Sequence, residues 1–252
     1  MQKVFWDDPY QTTLETHVVS VNKNEVLFDK TIIYSFAGGQ ESDKAWVKRV
    51  DSVHKSVDNT GENREKYEQA GEQKSEQVKE CINEQDCGFE ILGSRLLGNE
   101  IYYMLPNNHE LVAGQKVLMI IDWRRRYKLM RLHFAAELVL ELVTRFLPSA
   151  QKVGAHIAEH KARIDFACGT NISEVFPELL REYNKIIEQD LLIEKEYSDR
   201  AIGRRYWKIT GFAQVPCGGT HVRSTGEVGF ITCKRDRPGK GIERIEIRLV
   251  NP

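Results

Sequence analysis

The feature that most constrains the fold is a change of hydrophobic period at Asp122. Before this residue, the segments "HVVSV", "EVLFDKTIIY", "EIYYMLP" and "QKVLMIID" resemble short β-strands. After it, "WRRRYKLMRLHFAAELVLELVTRFL" carries apolar residues at helical spacing from Leu129 to Leu147, and Pro148 is expected to end the helix. Strand-like segments follow, together with a second amphipathic helix, "SEVFPELLREYNKIIEQDLLIEKEYS", so the sequence predicts an α+β fold.

Two domains are expected from this change. Residues 1–122 are predicted to form a small β-barrel-like domain with a glycine-containing loop at Gly38–Gly39. Residues 123–252 are predicted to form an α+β domain whose helices pack on an antiparallel sheet, with Ser173 as the cap of the second helix. The stretch at about 51–88 is polar and charged, and is therefore predicted to be a solvated insertion.

Composition narrows the class of protein. The 36 basic and 37 acidic side chains give a net charge of −1, so a polyanion would have to be bound by a local basic patch. The five cysteines are irregularly spaced, which favours reduced thiols over a disulfide framework. No apolar run approaches the roughly 18 residues of a membrane span, and the first residues do not resemble a signal peptide. We therefore expect a cytoplasmic protein that does not contact a membrane.

The segment "PCGGTHVRSTGEVG" places Cys217 four residues before His221, which is at most half of a zinc site because zinc takes about four ligands. His133 and Glu137 are spaced i,i+4 on the predicted helix and form a credible second pair. The alternative pair, in "HIAEH", lies in a strand-like segment, where residues spaced i,i+4 are roughly 13 Å apart. A packed cysteine with a turn histidine, and a partly buried His133 that binds no metal, remain open interpretations.

Several segments together are similar to a known family. "DWRRRYKLMRLHFAAELV", "GAHIAEHKARIDF", "YWKITGFAQVPCGGTHVRSTGEVG" and "GKGIERIEI" resemble, in order and spacing, the second additional domain of alanyl- and threonyl-tRNA synthetases and of the freestanding alanyl-tRNA editing proteins of the AlaX type. "DKTIIYSFAGGQESD" resembles a strand and glycine-rich loop of the same family. The length suits the medium-sized freestanding type, so the second predicted domain would be a zinc-binding editing domain.

The resemblance implies an ATP-independent hydrolase. It would cleave, in trans, the ester that joins a wrong amino acid, chiefly serine and also glycine, to alanine tRNA. Such a step is needed because a pocket built for a small side chain discriminates poorly by binding alone. The partner implied is aminoacylated alanine tRNA, and no obligate protein partner is expected. A catalytically inactive tRNA-binding protein and a metal hydrolase of small esters or amides are the competing hypotheses.

The resemblance also implies one zinc ion per chain. The family's ligand positions fall on His133, Glu137, Cys217 and His221, and the second position is a glutamate here where the family has histidine. In one hypothesis Glu137 is the fourth ligand, since zinc accepts carboxylate oxygen. In another, three ligands remain and Glu137 is the base that deprotonates water. A third hypothesis is a lost metal site.

Further candidates surround these positions. Arg163 and Asp165 are expected to face one way on a strand and to support catalysis, or to form only a structural ion pair. Thr31 and the Gly38–Gly39–Gln40 loop match family residues that would close over the aminoacyl end and read its hydroxyl. The candidates between the two loop ligands, which would let backbone amides approach the substrate or only form a turn, are Gly218, Gly219 and Thr220.

Basic residues are the candidates for tRNA binding, because clusters of cations target backbone phosphates. An ordinary solvated surface is the alternative interpretation for each cluster. The candidates are Arg124, Arg125, Arg126, Lys128, Arg131 and Arg223, with a second set at Arg204, Arg205, Lys234, Arg235, Arg237 and Lys240.

Overall fold

The structure is a computed structural model that describes residues 1–50 and 88–250. All but the last residue of the predicted polar insertion at about 51–88 lies outside the described residues. The strands are β1 (Gln2–Lys3), β2 (Thr13–Asn22), β3 (Glu25–Phe28), β4 (Lys30–Thr31), β5 (Ala45–Arg49), β6 (Phe89–Glu90), β7 (Gly93–Leu97), β8 (Glu100–Met104), β9 (Lys116–Ile121), β10 (Gln151–Ile157), β11 (Ala162–Ala167), β12 (Glu194–Asp199), β13 (Arg204–Ile209), β14 (Ala213–Pro216), β15 (Ile231–Gly239) and β16 (Ile242–Leu249). The helices are α1 (Val4–Asp7), α2 (Trp123–Phe146), α3 (Phe176–Glu188) and α4 (Thr225–Val228).

The chain divides into two compact units. The first contains Met1–Gln2, Gln11–Ile33 and Lys44–Arg124, and the second contains Lys3–Tyr10, Tyr34–Asp43 and Arg125–Pro252. Two short segments from the first 43 residues, one of them the glycine-containing loop, thus belong to the second unit. The predicted boundary between residues 122 and 123 stays a prediction.

The first unit is built on a seven-stranded antiparallel sheet in the order β6-β5-β9-β2-β3-β8-β7, which curls into a half barrel. Strand β2 alternates buried and exposed side chains, so that Leu14, Thr16 and Val18 face the core. Its register with β9 pairs Leu14 with Met119, whose side chain is also buried. The alternation seen in the sequence therefore fixes which face of this sheet is buried.

The second unit combines α2, α3 and two antiparallel sheets, β10-β11-β16-β15 and β12-β13-β14. The α+β fold class is therefore confirmed. Helix α2 ends at Phe146, just before Pro148, as predicted. Strands β10 and β11 pair antiparallel, which confirms that "HIAEH" is not helical. Within the described residues, every helix is too short or too polar to cross a bilayer.

The second amphipathic helix differs from its prediction at both ends. Asn171, and not Ser173, caps the 3₁₀ turn that precedes α3, because its side chain accepts a hydrogen bond from the Ser173 amide at 3.1 Å. Helix α3 itself begins at Phe176 and ends at Glu188. Asp190 adopts φ +45, a left-handed conformation that Asp tolerates and that stops the helix. The predicted continuation into "LLIEKEYS" is wrong, since that segment contains β12.

Candidate metal centre

Two parts of the second unit supply the predicted ligands. His133 and Glu137 are one turn apart on α2, so their side chains lie on one face of the helix. Strand β14 ends at Pro216, and the Cys217 amide then donates a hydrogen bond to the Arg205 carbonyl at 3.0 Å. This bond fixes the start of the loop that carries Cys217 and His221. The four side chains are called the metal cluster below.

Three members of the metal cluster have the geometry of a ligand set. The ligand atoms of His133, Cys217 and His221 all lie within 4.8 Å of one another, and His133 Nε2 is 3.2 Å from Cys217 Sγ. His133 and His221 are 3% and 2% exposed. Two imidazole nitrogens and a thiolate are ligands that zinc prefers. This buried group can therefore hold a metal ion.

The buried His221 ring supplies a direct test of that fit. Its Nε2 has no hydrogen-bond partner, which is true of only three buried side-chain nitrogen or oxygen atoms among the described residues. An unpaired buried polar atom is costly. A cation at this position would accept the lone pair of the neutral ring, so the donor set and the orphaned nitrogen fit the same occupant.

Glu137 lies beside the other three side chains. Its Oε1 lies 3.4 Å from His133 Nε2 and 3.7 Å from Cys217 Sγ. Its Oε2 faces elsewhere and accepts a hydrogen bond from Trp207 Nε1 at 3.2 Å. The carboxylate therefore presents one oxygen to the other ligands.

The electrostatics of the metal cluster favour a cation. Burial acts to lower the pKa of His133, but the Cys217 thiolate and Glu137 oppose it and raise that pKa to about 10. Burial and the positive charge of His133 lower the pKa of His221 well below its usual range. Burial would raise the pKa of Glu137, yet its contact with His133 lowers it. A bound cation would take the place of the extra proton on His133.

Gln40 holds His133 from the side opposite to the ligands. The His133 Nδ1 and Gln40 Oε1 atoms are 2.6 Å apart, and Gln40 Nε2 donates to Thr220 Oγ1 at 2.9 Å. The Thr220 amide N–H also donates to Gln40 Oε1 at 3.4 Å, so Oε1 is the acceptor and His133 Nδ1 carries the proton. Nε2 is left with a lone pair for a metal. The structure thus gives Gln40 a positioning contact, while its predicted reading of a substrate hydroxyl stays a prediction.

Two of the glycines predicted at the site are required by close approach. A Cβ on Gly219 would lie 2.2 Å from Cε1 of His133, and a Cβ on Gly39 would lie 2.5 Å from the Ala155 carbonyl oxygen. By contrast, a Cβ on Gly218 or Gly38 would meet no atom of the described part of the chain within 4 Å. Gly219 therefore lets the ligand loop pack against the helix ligand. Substrate contacts of these glycines and of Thr220 stay predictions.

Thr31 belongs to the first unit and is fully buried. Its hydroxyl lies 2.8 Å from the Tyr103 hydroxyl and accepts a hydrogen bond from the Ile33 amide at 3.0 Å. These contacts give Thr31 a structural role in its own unit. Its predicted role at the aminoacyl end is not tested by them.

Arg163 and Asp165 face one way on β11, as the strand alternation predicts. Arg163 donates to Asp165 at 2.8 Å, and Arg244 of β16 donates to the same carboxylate at 2.6 Å and 3.0 Å. Because Arg244 also pairs with Asp236 at 3.7 Å, Arg163 and Asp165 are part of a larger ion network. Their support of catalysis stays a prediction.

The predicted RNA contact of Arg126 is wrong. This side chain is 0% exposed, forms a two-bond ion pair with Asp43, and donates to the Pro9 carbonyl at 2.9 Å. A phosphate cannot reach a guanidinium that is buried in this way. Arg205 is also buried, at 6% exposed, and donates to the Trp6 carbonyl at 2.8 Å, so its RNA contact is wrong for the same reason.

The other candidate cations differ in how closely acidic side chains pair with them. Arg125 pairs with Glu41 at 2.7 Å and Glu159 at 3.0 Å, and Lys128 lies 3.5 Å from Glu159. Arg131 donates to the Val228 carbonyl at 3.0 Å. Arg124 is exposed, as is Arg223, whose guanidinium lies 4.1 Å from the centre of the Tyr10 ring. The exposed pair is the more accessible to a phosphate.

Two tryptophans that contact the site carry no local sequence signal. Trp207 donates to Glu137, and Trp6 Nε1 donates to the Gly218 carbonyl at 2.8 Å. Both contacts join residues that are 70 or more positions apart. The one available hint is general: the indole N–H of a buried Trp needs an acceptor.

The amino-acid sequence of the chain is similar to those of known proteins. The family model described as "Threonyl and Alanyl tRNA synthetase second additional domain" matches residues 208–246, which contain Cys217 and His221. The chain is 25% identical over 251 residues to the alanyl-tRNA editing protein AlaX-M of Pyrococcus horikoshii, covering 98% of this chain and 97% of that protein. It is 27% identical over 264 residues to the AlaX-M protein of Saccharolobus solfataricus, covering 97% of each. An alanine--tRNA ligase of Staphylothermus marinus is 26% identical over 266 residues, which make up 25% of the ligase.

Proposed function

We propose that the chain is a freestanding alanyl-tRNA editing protein of the AlaX type and that it hydrolyses the ester of mischarged alanine tRNA. Seryl-tRNA is the proposed main substrate and glycyl-tRNA the second, because binding alone separates such small side chains poorly. The reaction needs no ATP, and we place it in the cytoplasm, where its tRNA substrate would be met. The observation that carries the proposal is the buried group of His133, Cys217 and His221, together with the orphaned nitrogen of His221.

Zinc is the proposed occupant of the metal cluster. His133, Cys217 and His221 would hold it through two nitrogens and one sulfur, which matches its ligand preference. When bound, zinc supplies Lewis acidity toward an ester carbonyl or water. The chain's own contribution is to keep these ligands buried and correctly protonated. Gln40 keeps the proton of His133 on Nδ1, because its Oε1 accepts a hydrogen bond from the Nδ1–H group.

Glu137 is proposed as the fourth ligand. Its Oε1 already faces two of the other ligands at 3.4 Å and 3.7 Å, and its Oε2 is engaged by Trp207. A base would instead need an oxygen that faces the substrate. An added anion beside Cys217 lowers the Lewis acidity of the ion, so zinc would contribute substrate positioning more than activation of water.

The metal content of two variants tests the role of Glu137. If Glu137 is a ligand, Glu137→Ala purified without chelator contains less zinc than the wild type, and Glu137→His retains zinc because histidine is also a ligand. If Glu137→Ala retains full zinc and loses hydrolysis, the carboxylate is a base and the ligand proposal is wrong.

The remaining predicted residues enter the proposal in two groups. Gly38, Gly39, Gly218, Gly219 and Thr220 are proposed to border the aminoacyl end, since small residues and backbone amides admit a carbonyl closely. Thr31 and the Arg163–Asp165 pair are proposed to support catalysis at the aminoacyl end of the tRNA. For the tRNA, Arg124 and Arg223 are proposed as phosphate contacts because they are exposed, with Arg125, Lys128 and Arg131 contributing positive charge nearby.

A deacylation assay tests the proposed function as a whole. Alanine tRNA charged with serine, glycine or alanine is incubated with the zinc-loaded protein and with Cys217→Ala. We expect rapid loss of serine, slower loss of glycine, retention of alanine, and no activity in the variant. Salt-dependent tRNA binding without hydrolysis by the zinc-loaded wild type would identify a non-catalytic tRNA-binding protein and overturn the proposal.

A further inference from the structure

Glu137 is held by a residue that no metal-ligand pattern singles out. Its two carboxylate oxygens have different surroundings: Oε2 accepts the Trp207 indole N–H at 3.2 Å, whereas Oε1 faces His133 Nε2 at 3.4 Å and Cys217 Sγ at 3.7 Å. Tryptophan is a donor only, so Oε2 must act as the acceptor. The indole thus decides which oxygen points at the ligand set.

Trp207 is itself rigidly placed. It lies in the middle of β13, where Arg205, Trp207 and Ile209 are the buried positions, and it is paired with Lys195 on β12 and Val215 on β14. Its side chain is 0% exposed. An indole in the middle strand of a three-stranded sheet has little freedom to move, so its N–H has a fixed direction.

The packing of the indole also ties it to the ligand helix. The ring of Phe134, the residue after His133 on α2, meets the Trp207 ring edge-on, with centroids 5.0 Å apart and an interplanar angle of 67°. The Phe134 ring also lies 5.6 Å from the His221 ring. Strand β13 and helix α2 are therefore held together at the point where the carboxylate is oriented.

We infer that Trp207 is a positioning residue that fixes Glu137 as a one-oxygen ligand, by holding Oε2 away from the metal position. This inference rests on the proposed zinc centre. A carboxylate without this bond can rotate, bind through both oxygens, or turn toward the substrate as a base. The bond also draws negative charge away from the ion, which offsets part of the effect of a second anion beside Cys217. Outer contacts of this kind typically change metal affinity by about 10–100-fold.

A double-mutant cycle on the full chain tests the inference. Zinc affinity is measured by competition with a chromophoric chelator for the wild type, Trp207→Phe, Glu137→Ala and the double variant. Phenylalanine keeps most of the ring packing and removes only the N–H. We expect Trp207→Phe to lower zinc affinity about tenfold in the wild-type background, and to change it by less than about twofold in the Glu137→Ala background.

The outcomes separate this inference from the proposed function. Equal losses in both backgrounds would mean that Trp207 acts only through packing, and no loss in either would mean that the bond is idle; each result overturns the inference alone. A wild-type chain that binds no zinc overturns the proposed centre and this inference with it. If Trp207→Phe does not fold, hydrogen exchange at the assigned Trp207 indole N–H replaces it: exchange should be faster in Glu137→Ala than in the wild type, and an unchanged rate overturns the inference.

Discussion

Two buried polar clusters of the second unit contain charged groups but differ in whether the protein satisfies them. In the ion-pair cluster, Arg126 binds both oxygens of Asp43, and each side chain is 0% exposed. Arg126 also donates a hydrogen bond to the Pro9 carbonyl. The Asp43 carboxylate also accepts a hydrogen bond from the Tyr34 amide at 2.6 Å. In the metal cluster, by contrast, His221 Nε2 has no hydrogen-bond partner among the residues that the structure describes, and Cys217 and Glu137 face His133.

The difference separates a structural cluster from a binding site. A buried ion pair whose donors and acceptors are matched leaves nothing for a ligand to bind. A buried set of ligand atoms with an unpaired nitrogen is stabilised when a cation is added, because the cation supplies the missing partner. Variants that remove one member should therefore lower folding stability in the ion-pair cluster and zinc binding in the metal cluster.

The largest expected effect is that of Cys217→Ala. Loss of the sulfur ligand should abolish zinc binding and lower deacylation by at least about 10³-fold, which corresponds to ~4 kcal/mol of transition-state stabilisation. Zinc content and the rate of seryl-tRNA hydrolysis are the measurements. Cys233→Ala is the matched control because Cys233 lies on β15, outside the metal cluster, and should leave both unchanged. If the two variants had equal effects, Cys217 would not act as a ligand that Cys233 is not, and the proposed zinc site would be contradicted.

Arg126→Met should affect stability and leave zinc binding intact. The substitution leaves the buried Asp43 carboxylate without its guanidinium partner, so the free energy of unfolding should fall by about 3–5 kcal/mol in chemical denaturation. The double variant Arg126→Met/Asp43→Leu should recover most of this loss, since no buried charge remains. Zinc affinity should stay within twofold of the wild type in the folded protein. A loss of affinity without a loss of stability would contradict the structural assignment of this cluster.

Gly219→Ala should weaken zinc binding about a hundredfold. Its Cβ would lie 2.2 Å from the His133 ring and push that ligand away. Gly218→Ala is the control, because a Cβ there would meet no atom of the described residues within 4 Å. Zinc titration of both variants compares adjacent positions of one loop, and equal affinities would show that the loop adapts to the added methyl group.

Gln40→Leu should lower zinc affinity about tenfold, because the His133 Nδ1 proton loses its acceptor. Gln40→Glu restores an acceptor and should recover most of the affinity. Nitrogen-15 NMR of the histidine side chains should detect a shift of the His133 tautomer in the leucine variant alone. The same loss of affinity in both variants would indicate disturbed packing and no role for the hydrogen bond.

The smallest expected effect is that of Arg223→Ala on tRNA binding. Removing one exposed phosphate contact should weaken binding a few-fold and reduce the slope of log affinity against log salt by about one. Arg181→Ala, which removes an exposed cation of α3 that pairs with acids, is the control and should leave the slope unchanged. If Arg126→Met reduces the slope as Arg223→Ala does, the division between buried and accessible cations is wrong.

Local patterns were sufficient for most of the elements and for placing His133 and Glu137 on one face of a helix. The spacing of His133 and Glu137 on a helix follows from its period of 3.6 residues, and the short strands follow from alternation. The helix predicted from Ser173 was placed less well, because Asn171 and Asp190 control its ends through side-chain and backbone conformations that hydrophobic periodicity does not encode. Arg126 shows the same limit for charge: a run of cations in the sequence carries no information on which of them is buried.

The sequence by itself determined the α+β class, the resemblance to a family and the residue types of the metal cluster, since each follows from periodicity or from short motifs. Only the tertiary structure decided that Gln40 orients His133, that Trp207 binds Glu137, and that Arg126 is enclosed by Asp43 and Pro9. The physical reason is range: each of these bonds joins residues 70 or more positions apart, and short-range hydrophobic patterns do not specify which distant backbones approach each other.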